Sequence, residues 1–223
     1  MQALVDPRIH FMRSERLLFR CWRDTTQDFL LAKELWADKQ VTKFIGGPFS
    51  DEEVYKRLQD EIDCRPAVRF LDGHSKESCS ARTLLQYWPV FSKVESRQSM
   101  DDTLEHQGTT SFIGCCGLRP YFGHRNQELE RYGIPADCLV YEIGVHLLPS
   151  QWGKGFASEA LERVKHFALT QLEEPPYALF AGHHPQNVAS QRLLTKLSFR
   201  YSHDELYPAT GLSHPSYFCI RDS

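Results

Sequence analysis

Apolar positions along this chain fall into short strand-like runs and longer stretches with helical spacing. Arg16–Cys21 (RLLFRC) predicts a strand. After Asp24, Phe29, Leu30 and Leu35 outline an incomplete apolar helix face, and a second helix is predicted after Pro48. There Ser50 stands three residues before Glu53, the spacing of a capping box, and Val54, Leu58 and Ile62 recur at every fourth position. The middle of the chain turns to strands at Leu84–Phe91, Thr110–Leu118 and Cys138–Leu148, the first two predicted as a hairpin with a long loop. A helix, a strand at Tyr177–Ala181, another helix after Asn187 and two short strands, near Phe199 and at Tyr217–Ile220, complete the series.

Strands that neighbour one another among helices predict the α/β (α+β) class, a mostly antiparallel mixed central sheet flanked by helices. Two polar stretches, Asp72–Arg82 and Ser92–Thr110, read as surface insertions, because the pieces flanking them are too short to fold separately. Residues 1–223 are therefore expected to form one domain.

Composition narrows the class of partner. A net charge of −3 does not suggest wholesale neutralisation of phosphates, so no nucleic-acid partner is expected. No run of about 18 apolar residues occurs, and Met1–His10 lacks the apolar run of a signal peptide, so neither a membrane partner nor export is expected. The seven cysteines (Cys21, Cys64, Cys79, Cys115, Cys116, Cys138, Cys219) form no Cys-x-x-Cys pair and read as reduced thiols of a cytoplasmic protein. Ten histidines raise the question of a metal-dependent hydrolase, but no His-x-x-x-His pair supports it. Adjacent His183 and His184 cannot both face one metal from an extended strand, so no metal site is expected.

The chemistry concentrates in Tyr141–Leu172. A strand leads into Pro149-Ser150-Gln151-Trp152-Gly153-Lys154-Gly155-Phe156-Ala157, and Ala157, Ala160, Leu161, Val164, Phe167 and Ala168 then form an amphipathic stripe. Glycines at 153 and 155 let the backbone turn tightly and keep side chains away from a ligand. The free N–H groups of the first helical turn, with the helix dipole, suit an anion such as a phosphate.

The segment Trp152-Gly153-Lys154-Gly155-Phe156-Ala157 resembles the acyl-CoA pyrophosphate loop of the GNAT N-acetyltransferases, Gln/Arg-x-x-Gly-x-Gly/Ala, with Trp152 where Gln or Arg is usual. Asn187 and Ser190, followed by Leu194, Lys196 and Phe199, resemble a second motif of the branch containing the ribosomal-protein N-terminal acetyltransferases. Ser198 stands there in place of a glycine. Ser14–Arg20 and Tyr141–Val145 resemble that branch's first and central strands. The resemblance implies a GNAT-like fold and an acyl-CoA-dependent N-acyltransferase. It would move acetyl from acetyl-CoA, its cosubstrate, to a primary amine, either a small molecule or a protein N-terminus.

The resemblance also implies roles. Val145 and Leu147 would bind the pantetheine arm through their main chain. Trp152, Gly153, Lys154, Gly155, Phe156, Ala157 and Ser158 would wrap the pyrophosphate, with Lys154 either adding charge or lying in solvent. Asn187 would face the cofactor or simply cap its own helix. For the catalytic base, Glu142 comes first, its alternative being a salt-bridged strand carboxylate. His146 shares its strand face, and His183 follows the next strand. Leu194 occupies the position where many relatives carry a tyrosine acid. That departure keeps open a CoA-binding regulatory or scaffold protein without turnover. The turn-rich Asp204–Tyr217 is expected to line the acceptor side.

Overall fold

Capping chemistry starts the helices of the first third. Thr25 is the N-cap of α1 (Thr26–Trp36), its hydroxyl accepting the Asp28 N–H at 3.2 Å. A four-residue helix that no apolar period announces, α2 (Lys39–Thr42), is capped by Asp38 through the N–H groups of Gln40 and Val41. At α3 (Asp51–Asp63) the capping box closes: Glu53 Oε2 accepts the Ser50 N–H at 2.8 Å, and the Glu53 N–H donates to Ser50 Oγ at 3.3 Å. Val54, Leu58 and Ile62 are buried, as their spacing requires.

The computed structural model describes residues 12–63, 86–93, 110–121, 129–135, 138–172 and 175–221. The insertion predicted at Asp72–Arg82 lies outside these, as does most of Ser92–Thr110. The described strands are β1 (Met12–Arg13), β2 (Leu17–Phe19), β3 (Tyr87–Lys93), β4 (Thr110–Pro120), β5 (Val140–Leu147), β6 (Ala178–Gly182), β7 (Arg200–Tyr207) and β8 (Leu212–Ile220). They form a single sheet in the order β1-β2-β3-β4-β5-β6-β8-β7, in which only the β5–β6 pair is parallel.

Alternation along these strands divides the core between two layers. On one face α1 and α3 bury Leu35, Trp36, Val54 and Leu58 against Trp22, Tyr87, Phe112 and Cys115. On the other, α4 (Phe156–Thr170) and α5 (Val188–Lys196) bury Leu161, Val164, Phe167 and Leu194 against Trp88, Ile113, Tyr141, Ile143 and Leu147. Tyr87 and Trp88, adjacent in β3, thus belong to opposite layers. A buried ion pair ties β2's exit to α1: the Arg20 guanidinium donates to both Asp28 oxygens, at 2.6 and 2.7 Å, and Asp28 also accepts the Arg23 N–H at 2.8 Å.

One local expectation changes. Asp204–Tyr217 is strand for most of its length, with only residues 208–211 turning, because Tyr207 O accepts the N–H groups of Thr210 and Gly211 and lets β7 and β8 pair on either side. Ser198 adopts φ +66 just past α5. Its N–H reaches Thr195 O and the Phe199 N–H reaches Leu194 O, the two bonds of a Schellman ending that favours glycine.

Candidate active site

The single parallel pair of the sheet is short. β5 and β6 are in register only at Val140–Glu142 with Ala178–Phe180, and then they part. The Leu148 N–H donates across to Ile113 O at 2.9 Å, so alternation turns the main-chain groups of Ile143, Val145 and Leu147 away from β4 and toward the opening. Val145 lines that opening with its main chain unclaimed by β6. Leu147 is half committed, because its carbonyl accepts the Trp152 indole N–H at 2.8 Å.

A 3-10 turn at Pro149–Gln151 carries the chain from β5 into the glycine loop. Trp152 anchors this loop: besides the indole bond, its main-chain N–H is spent on Pro149 O at 3.1 Å, so it has no N–H left for an anion. Gly153 and Gly155 have φ +73 and +82, a region that any side chain would strain. Gly155 is the N-cap of α4, and no side chain caps that helix, which leaves the start of a 15-residue helix open to an anion at Phe156, Ala157 and Ser158. Lys154 lies along the loop, its Nζ donating to Gln151 Oε1 at 3.1 Å.

Arg16 fixes the loop from outside. Its Nη1 donates to Lys154 O at 3.0 Å, its Nε to Glu159 Oε2 at 2.7 Å, and its guanidinium lies 4.7 Å from the Phe156 ring centre. Ser14 Oγ adds a 2.6 Å bond to Glu159, and these partners outweigh burial to hold the Glu159 carboxyl below its ordinary value. The sequence marks Ser14–Arg20 as a motif, but nothing in it links Arg16 to a loop more than 130 residues away.

The parting strands open into a cleft of about 370 Å³ to which Glu142, His146, His183 and Asn187 all contribute. Glu142 and His146 share one face of β5 with Gly144, and a Cβ on Gly144 would meet Tyr87 Oη at 2.2 Å, so the tyrosine hydroxyl packs onto the backbone between them. Burial raises the Glu142 carboxyl from its ordinary value, Arg119 opposes that rise and Glu205 adds to it. Burial, with Arg119 and Arg57 nearby, lowers His146 to about 4, so it is a neutral imidazole at pH 7. It stacks on Tyr87 at 5.5 Å, and its Nδ1 lies 3.9 Å from Cys115 Sγ.

His183 is engaged at both nitrogens. Nδ1 lies 2.9 Å from the His184 carbonyl, which can only accept, so Nδ1 carries the proton and Nε2 takes the Tyr217 hydroxyl at 3.3 Å. Asn187 caps α5, its Oδ1 accepting the Ser190 N–H at 3.2 Å, while still lining the cleft. Leu194 also lines it, and Glu205, Tyr207 and His214 of the β7–β8 hairpin close the far side.

Several cleft residues carry no signal in the apolar pattern: Arg57 on α3, Tyr87 on β3 and Arg119 at the end of β4, with Glu61 of α3 behind them. Arg119 stands in register with Glu142, yet its Nη2 pairs at 2.5 Å with buried Glu61, which also accepts the Tyr87 N–H at 2.7 Å. Only Arg119 was detectable, as a charge closing a strand that is otherwise apolar. Among the described residues, no three His, Cys, Asp or Glu side chains lie close enough to share a metal ion, and no helix is long and apolar enough to cross a membrane.

A sheet whose one parallel pair splays beside an uncapped, glycine-led helix offers free main-chain groups at one end of a cleft and an anion site at the other. The chain belongs to the GNAT acetyltransferase family: the acetyltransferase (GNAT) domain matches residues 16–200. It is 28% identical over 188 residues to the uncharacterized N-acetyltransferase p20 of Bacillus licheniformis, covering 84% of this chain and 80% of that protein. Its fold matches that of RimL, a ribosomal α-N-protein acetyltransferase in complex with coenzyme A, with a TM-score of 0.60, 15% identity and coverage of 94% and 96% of the two chains. It also matches spermidine N-acetyltransferase from Vibrio cholerae in complex with CoA and spermine, with a TM-score of 0.57, 13% identity and coverage of 93% and 97%.

Proposed function

We propose that this N-acetyltransferase acts on a primary amine, of a small molecule or a protein N-terminus, with Glu142 as the base. The amine nitrogen attacks the thioester carbonyl carbon. The C–N bond forms, the C–S bond breaks, Glu142 takes the proton from nitrogen directly or through water, and the CoA thiolate leaves to be protonated. The Val145 main chain and the remaining N–H of Leu147 hold the pantetheine arm. The first turn of α4, at Phe156, Ala157 and Ser158, takes the pyrophosphate, while Trp152 and Arg16 keep the loop in shape.

One observation carries the choice of base. Glu142 sits where the strands part and makes no ion pair among the described residues, because Arg119, opposite it, is spent on Glu61. A carboxylate raised by burial and free of a salt bridge is suited to accept a proton. His146, lowered to about 4, is a weak base, and His183 has both nitrogens occupied. We place the protein in the cytoplasm, consistent with the free thiols of Cys21, Cys115, Cys116, Cys138 and Cys219.

The reading without turnover rests on Leu194, which donates no proton to the leaving thiolate. Calorimetric titration with acetyl-CoA, followed by thiol release across a panel of amines and N-terminal peptides, separates the two. Binding with release of one thiol per acetylated amine is the expected result. Binding without release from any acceptor supports a regulatory CoA-binding protein, and no binding overturns both.

A further inference from the structure

The acceptor half of the cleft presents guanidiniums, which an amine alone does not call for. Two guanidiniums line it, Arg57 from α3 and Arg119 from β4, together with the carboxylates of Glu142 and Glu205. Three of these four groups have partners or a proposed task. Arg119 pairs with Glu61, Glu205 accepts the Tyr121 hydroxyl at 2.9 Å and lies 3.7 Å from His203 Nε2, and Glu142 is the proposed base. Arg57 has neither: it makes no ion pair or hydrogen bond with another described residue.

Arg57 is nonetheless held in place. Its guanidinium carbon lies 3.7 Å from the Phe49 ring centre, a contact that uses the flat face and leaves the N–H donors at the edge unspent. Glu61, one turn further along the same helix, is turned to Arg119 and Tyr87 instead. Burial is the largest influence lowering Arg57 from its ordinary value and Arg119 adds to it, together outweighing the opposing pull of Tyr207, Glu53 and Glu61, so Arg57 is a half-desolvated cation beside a like charge. A second positive group there is repelled, and an anion is attracted.

Resting on the acetyltransferase reading, we infer that the acceptor is an amine that also carries an anionic group, a carboxylate or a phosphate. Arg57, with Arg119 behind it, binds that group while the amine is directed to Glu142. Simple alkylamines lack the second contact. Diamines and polyamines bring a second positive charge toward two guanidiniums and are disfavoured.

The test compares thiol release from acetyl-CoA with matched acceptors: ω-amino carboxylates of increasing length, aminoalkyl phosphates, the corresponding amides and alkylamines, and putrescine and spermidine. An anionic amine is expected to exceed its neutral counterpart by about ten- to hundredfold in kcat/KM, the range of one charge-assisted hydrogen bond. In Arg57→Gln that ratio collapses toward one, while Arg57→Lys keeps part of it; unchanged melting temperatures exclude a folding defect. Calorimetry of the same amines against the CoA-loaded protein reads the preference even without turnover. Equal use of neutral amines, a preference for polyamines, or an anionic preference that survives Arg57→Gln overturns the inference and leaves acetyl transfer intact. Absence of acetyl-CoA binding, by contrast, removes the enzyme reading and the inference together.

Discussion

Replacing Glu61 by alanine tests the physical basis of the acceptor wall. The carboxylate is buried, at 6% side-chain exposure, and holds two donors, the Tyr87 N–H at 2.7 Å and Arg119 Nη2 at 2.5 Å. Truncation leaves the Tyr87 N–H buried without a partner, which costs about 1–3 kcal/mol, and removes packing worth about 1 kcal/mol. Arg119 is 42% exposed and regains water, so its lost pairing adds little. The sum is about 2–4 kcal/mol, or roughly 4–16 °C in melting temperature for a chain of this size.

Glu61→Gln keeps one acceptor oxygen for Tyr87 but turns an amide NH₂ toward Arg119, so it is expected to fall between wild type and alanine. Burial, the largest influence, raises the Glu61 carboxyl in the folded protein. Between the unfolded and folded pKa values the folded state then binds more protons. The contribution of Glu61 is therefore complete below the unfolded pKa and declines as pH rises through the folded one. The stability gap between wild type and Glu61→Gln should narrow as pH rises over that window, measured by thermal and urea unfolding. A loss under about 1 kcal/mol for Glu61→Ala, or a gap that widens with pH, refutes the reasoning.

Three further predictions follow from other parts of the molecule. Asp28→Ala strands the buried Arg20 guanidinium and should cost about 3–5 kcal/mol in urea unfolding, with Arg20→Met/Asp28→Leu costing less than Asp28→Ala alone. Ser198→Gly relieves a left-handed backbone worth about 1–2 kcal/mol and loses about 0.5–1 kcal/mol to the greater freedom of the unfolded chain; the melting temperature should rise by the small remainder. Glu142→Gln should lower kcat/KM by about 10²–10⁴-fold while acetyl-CoA still binds by calorimetry. The acid limb of the wild-type pH–rate profile should lie above the ordinary carboxylate range, as burial dictates, and be absent from the variant.

How much of this could be read from residues alone depended on how local the cause was. The capping box at Ser50–Glu53, the stripe from Ala160 to Ala168 and the alternation of Glu142, Gly144 and His146 are set within a few positions, and each is legible in the sequence. The glycine loop was equally legible, since Gly153 and Gly155 announce their backbone by lacking side chains. The splay of β5 from β6 has no such mark, because no residue signals where a pairing stops. Arg57, Glu61 and Tyr87 remained hidden: they come from α3 and β3 and meet β4 and β5 only through tertiary packing. The β7–β8 hairpin misled for the opposite reason, its Pro, Gly and Ser content imitating turns although cross-strand pairing keeps most of it extended.

The brief contact between β5 and β6 also bears on how the sheet holds together. Five strands on one side of the sheet and three on the other share a seam of three register pairs, reinforced by the helices that pack across it. A molecule lodged in the seam and touching both sides adds its binding free energy to folding, about 2.7 kcal/mol when its concentration is 100 times Kd. Melting temperature thus rises with occupancy, so a thermal shift with acetyl-CoA measures affinity before any acceptor is known, and the least protected amides of the free protein should be those along that seam.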